Sequence, residues 1–267
     1  MQNGKAFLKT GRDRPMWIDA HAHLYNLDGP DLAAAITEAR EAGVGRILNT
    51  GTSIDTSRQV LRQCTEHSLL SAAVGISPFD AKNPPEDWQA SLESMFKDPT
   101  VVAIGETGID STNPTYPNIA SQIELFEAQL HIAVSRDLPI IIHSRGSEIK
   151  AAEMCQATGV KKAMFHCFTG DIMALGKILD AGYFVSFSGI ITFKNSPLVE
   201  CVGYAPLSQM FIETDSPYLA PVPYRGKTNE PAWVGLVGKK VAEIKKINAV
   251  DVADALRENL FTLFGIK

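Results

Sequence analysis

A parallel (β/α)8 barrel is the fold class that the sequence predicts, and three observations lead to it. Eight short apolar runs recur along the chain, at 16–22, 46–51, 69–76, 101–106, 138–143, 162–166, 183–189 and 210–215. Most lack strict polar alternation, as strands buried on both faces should. Longer amphipathic stretches separate them, and 267 residues is a length at which such barrels commonly occur.

The first expected helix starts at the acidic Asp31 and stops at Gly43, a residue suited to the left-handed turn that ends a helix. The same scheme places helices over Ser53–Glu66, Pro85–Phe96, Ile119–Arg136, Ser147–Ala157, Asp171–Leu179, Pro197–Val202 and Pro231–Lys245, with an extra C-terminal helix over Asp251–Leu263. The competing architecture is an open doubly wound sheet. Against it, the first strand is followed by Ala20-His21-Ala22-His23 rather than a glycine-rich phosphate loop. Residues 1–15 read as a loose polar extension, and 16–267 as one barrel domain without linker or internal repeat.

Composition narrows the function classes. Apolar residues make up 45% of the chain, enough to fill a large core. A formal net charge of −5 argues against a broad polyanion-binding face, although a bound metal can supply positive charge locally. Cys64, Cys155, Cys167 and Cys201 form no CxxC pair and read as reduced, buried thiols of a cytoplasmic protein. No apolar run approaches membrane-helix length, and no secretory signal pattern stands at the N-terminus. No obligate protein partner is evident.

The chemistry gathers at strand ends. Of six histidines, His21, His23, His143 and His166 fall at the C-terminal end of an expected strand, the barrel face on which active sites are built. His67 and His131 lie inside expected helices and read as ordinary surface or packing residues. His21 and His23, two apart on a strand, project to the same side and can reach one ion. Glu106 and Asp215 each end a buried strand, where an unpaired charge is costly. Pairing with Arg145 or Lys194 would account for one acid but not for the whole set. Six N and O ligands on one face can hold two divalent cations sharing a carboxylate and a water, roughly 3.5–4 Å apart. A ligand set without thiolate suits Mg, Mn or Zn.

With these residues in place, the chain resembles the TatD family of metal-dependent deoxyribonucleases, a branch of the amidohydrolase-like barrels. The resemblance spans about residues 17–264. It rests on Ile18-Asp19-Ala20-His21-Ala22-His23-Leu24, Ala103 to Asp110 (AIGETGID), Pro139 to Arg145 (PIIIHSR), Phe165 to Gly170 (FHCFTG), Ser186 to Ile190 (SFSGI) and Glu213 to Pro231. It implies that His21, His23 and Asp215 hold one metal with a bridging Glu106, that His143 and His166 complete a second, and that Glu213 supports the site. It further implies Arg145, Arg225 and Lys227 as substrate-phosphate contacts, for which a structural ion pair or solvated loop is the competing reading. Asp110 is a candidate hydrogen-bond acceptor near the substrate or a cap for the following segment. Two departures stand out. Ser77 occupies the Gly-Ile-x-Pro block where the family usually carries histidine, and Ser111-Thr112-Asn113 replaces its usual aromatics. Ser77 remains a candidate substrate contact through its hydroxyl, but it cannot carry a proton near neutral pH.

The expected activity is cleavage of DNA phosphodiester bonds, as a 3′-5′ exonuclease on single-stranded ends, with Asp215 as general base toward the attacking water. Tyr116, Phe168, Phe193, Tyr218 and Tyr224 are candidate base-stacking residues. The alternative is an amidohydrolase or esterase acting on a small metabolite or aminoacyl ester with the same cage.

Overall fold

The computed structural model describes residues 15–266. The extension expected over 1–15 therefore lies, apart from Pro15, outside the described residues. Eight strands form one parallel sheet in sequential order: β1 Trp17–Ala22, β2 Val44–Thr50, β3 Leu70–Val74, β4 Val101–Gly108, β5 Ile140–His143, β6 Ala163–Phe165, β7 Phe184–Phe187 and β8 Met210–Ile212. Residues of β1, β3, β5, β6, β7 and β8 are buried throughout. This burial explains why their sequences run apolar without alternation: one face fills the barrel and the other packs under helices.

The edges meet where β8 returns to β1. The Asp215 N–H donates to the His21 carbonyl at 3.0 Å, and the His23 N–H donates to the Ser216 carbonyl at 2.8 Å. Asp19 reinforces this seam by accepting from the Thr214 amide at 2.8 Å and the Thr214 hydroxyl at 2.5 Å. The (β/α)8 barrel expected from the sequence is the observed fold.

The helices are α1 Gly29–Glu41, α2 Ile54–Glu66, α3 Trp88–Met95, α4 Ile119–Arg136, α5 Glu148–Thr158, α6 Ile172–Asp180, α7 Val199–Tyr204, α8 Val234–Lys245 and α9 Ala249–Phe264. None of the described helices is long and apolar enough to cross a membrane. Several boundaries differ from expectation for local reasons. Helix α1 begins at Gly29 with Asp28 as N-cap, since Pro30 fits a first turn whose N–H groups have no helical acceptor. Ahead of α8, Pro231–Trp233 forms a 3₁₀ turn instead of helix. Strand β7 stops at Phe187 rather than 189, because the chain enters a 3₁₀ turn over Gly189–Thr192 that lies close against the Leu219 carbonyl.

Strand β4 extends two residues past Glu106, and glycine makes this possible. At Gly108 φ is +140°, and a Cβ there would lie 1.9 Å from the His143 carbonyl oxygen. That carbonyl accepts from the Ile109 N–H at 2.8 Å, so Gly108 lets β4 and β5 close together beside the site. Gly108→Ala is expected to destabilise the protein by about 3 kcal/mol in urea unfolding, through backbone strain and overpacking. An unchanged midpoint would show that the two strands can separate freely here.

Candidate metal centre and cleft

The barrel's C-terminal ends bring His21, His23, Glu106, His143, His166 and Asp215 together. His21 and His23 project inward from β1 and from the residue just beyond it, with their Nε2 atoms 3.1 Å apart. Glu106 stands between two groups. Its Oε2 is 3.4 Å from Nε2 of both His21 and His23, while its Oε1 is 3.2 Å from His143 Nδ1 and 3.8 Å from His166 Nε2. Asp215 Oδ1 closes the first group, 3.4 Å from His23 Nε2 and 3.9 Å from His21 Nε2. Asp215 reaches it from a left-handed backbone conformation, φ 55°, just past the end of β8.

Proton placement decides what such a cluster can bind. His23 Nδ1 must donate to the Thr50 carbonyl at 2.9 Å, since a carbonyl can only accept. Its Nε2 therefore presents a lone pair toward two carboxylate oxygens. Likewise His143 Nε2 donates to Asp110 Oδ2 at 2.9 Å, leaving the Nδ1 lone pair facing Glu106. Asp215 Oδ1 is buried with no hydrogen-bond partner among the described residues. Acceptors facing acceptors in a buried site require either extra protons or cations between them, so the donor set fits divalent metal.

The acid–base behaviour follows. Burial alone would raise Glu106, yet His166, His143, His21 and His23 together hold it well below the usual carboxylate range. Burial also opposes the charge on Asp215, but His23, His166 and His21 keep its pKa lowered. His21 is pushed down, chiefly by burial and then by His166 beside it. His23 and His143 move the other way. Burial lowers both, but Asp215 and Glu106 outweigh it at His23, and Asp110 and Glu106 carry His143 up to about 9.

Neighbouring groups fix these side chains in place. Asp110 is buried, and its Oδ1 accepts from the Thr112 amide at 2.8 Å, the Thr112 hydroxyl at 2.9 Å and the Asn113 amide at 3.0 Å. The Ser111-Thr112-Asn113 stretch thus forms a turn around Asp110, which faces His143 rather than the open cleft. Two buried glutamines on one face of α4 hold the flanking backbone. Gln129 donates to the Ile76 carbonyl and the Thr107 hydroxyl and accepts from the Ile76 amide. Gln122 accepts from the Asp110 amide and donates to the Asp110 carbonyl. Glu213, fully buried, lies 3.4 Å from His166 Nδ1. The glutamines were not legible as site residues; a polar residue on the inner face of an amphipathic helix was the available signal.

A cleft of about 690 Å³ opens over this cluster. Ser77 and Arg145 line it, as do Tyr116 and Tyr218. Arg225 and Lys227 do not; Arg225 lies 4.4 Å over the Phe193 ring and Lys227 5.4 Å from the Tyr224 ring. Among the remaining candidate stacking residues, Phe168 is buried against Phe187, and Tyr224 stacks on Trp233 at 4.2 Å. Tyr25 and Phe79, absent from the sequence-based set, line the cleft.

A family model described as TatD related DNase matches residues 18–265. The chain is 34% identical to the metal-dependent hydrolase YabD of Bacillus subtilis, over 94% of this chain and all of that protein. It is 28% identical to the 3′-5′ ssDNA/RNA exonuclease TatD of Citrobacter koseri, covering 86% of this chain and 92% of that protein. Among solved structures, YjjV, a TatD homologue of Escherichia coli, superposes with a TM-score of 0.88 at 28% identity, covering 94% and 99% of the two chains.

Two outcomes follow from the ligand environment. Asp110 and Glu106 push His143 up to about 9 from an ordinary value near 6.5, and His23 is also raised, so the stabilisation from these protons is complete below about 6.5 and the His143 share is lost as pH rises through about 9. Chelator-treated protein should lose thermal stability over that interval. The Tm gain on adding Zn or Mn should grow across it, because metal takes the place of those protons; a pH-independent gain would contradict this. Asp110→Ala should weaken metal binding about ten- to hundredfold in a chelator competition, and undiminished affinity would deny Asp110 its hold on His143.

Proposed function

The chain belongs to the family of TatD-related DNases and is a metal-dependent hydrolase; we propose that it holds two divalent ions and cleaves phosphodiester bonds at an end of single-stranded DNA. The observation that carries this reading is Glu106, whose two oxygens face separate ligand groups, His21, His23 and Asp215 on one side and His143 and His166 on the other. A bridging carboxylate between two such groups suits a metal pair. The named activity of the Citrobacter koseri relative supports nucleic acid as substrate and 3′-5′ as polarity. A recessed mouth on an acidic protein favours an end over the middle of a duplex.

When bound, Mg, Mn or Zn ions supply Lewis acidity to the attacking water and to the phosphate oxygens. The protein's own groups do the rest. Asp215, ionised and with Oδ1 unpartnered, takes the proton of the attacking water as general base. Arg145 at the cleft wall offers its guanidinium to a nonbridging phosphate oxygen. Glu213 beside His166 Nδ1 and Asp110 beside His143 Nε2 hold the imidazoles in orientation. Ser77, buried at the cleft wall, has a hydroxyl available to the substrate but no charge to contribute.

Glu106→Gln and Asp215→Asn should each lower turnover of end-labelled single-stranded DNA by roughly a thousandfold while leaving the folded state intact by circular dichroism. Turnover within tenfold of the parent, in preparations with verified metal content, would remove both residues from the mechanism. Faster hydrolysis of lactones or amides than of oligonucleotides would assign the site to carbonyl chemistry instead.

A further inference from the structure

Two aromatic walls stand on opposite sides of the ligand cluster. Beside His143, the Tyr116 ring lies 6.3 Å from the imidazole and packs edge-to-face with Phe79 at 5.6 Å. Beside His23, the rings of Tyr25 and Tyr218 lie at 5.6 and 6.2 Å. All four residues line the same cleft, and Phe79 and Tyr218 are 58% and 55% exposed. Each wall therefore offers ring surface to a ligand, one beside His143 and the other beside His23.

Charge in the cleft is sparse. Arg145 is the sole lysine or arginine in its described lining, and Asp80 offsets it near the Phe79 wall. The remaining lining beyond the ligand cluster includes neutral groups such as Thr52, Ser53, Ser77 and Asn113. No cationic track continues outward through Arg225 or Lys227, whose charged groups rest on Phe193 and Tyr224 away from the lining. Binding of a long strand draws on repeated phosphate contacts, whereas stacking on an aromatic side chain needs only a base. A volume of about 690 Å³ lies within the roughly 300–1,000 Å³ range of small-ligand sites.

We infer that the cleft is built for very short single-stranded oligonucleotides, down to the dinucleotide, with one base on the Phe79–Tyr116 wall and the other on the Tyr25–Tyr218 wall. This rests on the phosphodiesterase reading above and adds to it that chain length beyond two nucleotides contributes little. Water's oxygen bonds to the linking phosphorus as one P–O bond breaks. The departing sugar oxygen takes up a proton, and the other fragment keeps the phosphate as a monoester.

The test compares thymidine dinucleotide with a thymidine 20-mer on the Mn-loaded full chain, between 50 and 200 mM salt. Expected are kcat/KM values within about threefold of each other and a log–log salt slope for the 20-mer near −1, since each single-strand phosphate contact contributes roughly −0.7. Phe79→Ala should raise KM for the dinucleotide about tenfold and Phe79→Trp should restore it. Phe261→Ala, on α9 beside the N-terminal ends of β3 and β4, should leave it unchanged. A 20-mer favoured more than about thirtyfold, or a salt slope steeper than about −3, overturns the short-substrate inference while the nuclease reading stands. Failure to hydrolyse any phosphodiester, an aryl phosphodiester included, overturns both.

Discussion

The carboxylate of Glu106 has to stay charged while almost wholly withdrawn from water, and the arrangement of the barrel mouth depends on that requirement. A lone buried carboxylate would take up a proton. Four imidazoles prevent this, two on each side of the carboxylate, and two of them are oriented by groups that accept: the Thr50 carbonyl behind His23 and Asp110 behind His143. When the near nitrogen of either ring loses its proton, the proton held on the far nitrogen leaves a lone pair facing inward. Electrostatics therefore makes this cluster of side chains fit for cations, with protons as the competitors for the same positions.

Holding that cage is a task shared with the backbone. The strands stop at or near the ligands, so the chain beyond them needs hydrogen-bond partners other than a neighbouring strand. Gln122 and Gln129 supply them from α4, pairing both polar groups of the Asp110 and Ile76 peptides. Asn229 does the same on the other side, donating to the carbonyls of Thr214 and Tyr218. At the seam, Asp19 joins β1 to the Thr214 segment that precedes Asp215. Burial pushes Asp19 up to about 8, which suits a carboxyl group used as a hydrogen-bonding clasp. Rigidity at the ligands thus comes from side-chain amides and carboxyls that never reach the cleft.

The distribution of charge around the cage shapes what can enter it. The net charge is −5 overall, and among the described lining residues of the cleft Arg145 is the sole lysine or arginine. Aromatic rings, those of Tyr25, Phe79, Tyr116 and Tyr218, make up much of the remaining lining. Ser77 adds a hydroxyl and no charge to this lining.

The number and order of the strands were legible in the sequence, because burial on both faces leaves continuous apolar runs and the intervening helices carry their own periodicity. The same reading placed His21, His23, Glu106, His143, His166 and Asp215 at strand ends, since strand direction and a repeat of two are local properties of the backbone. Helix α1 shows the limit of such reasoning at boundaries, where Pro30 favoured an earlier start than Asp31. Decided only by the tertiary structure were the division of Glu106 between two ligand groups, the turning of Asp110 toward His143, the two glutamines of α4, and the separation of Tyr116 and Tyr218 on the cleft from Phe168 in the core. These depend on how closely residues 33, 53 or 195 positions apart in the chain approach once the barrel closes. That closure is set by the joint packing of every strand and helix, so no local pattern encodes it.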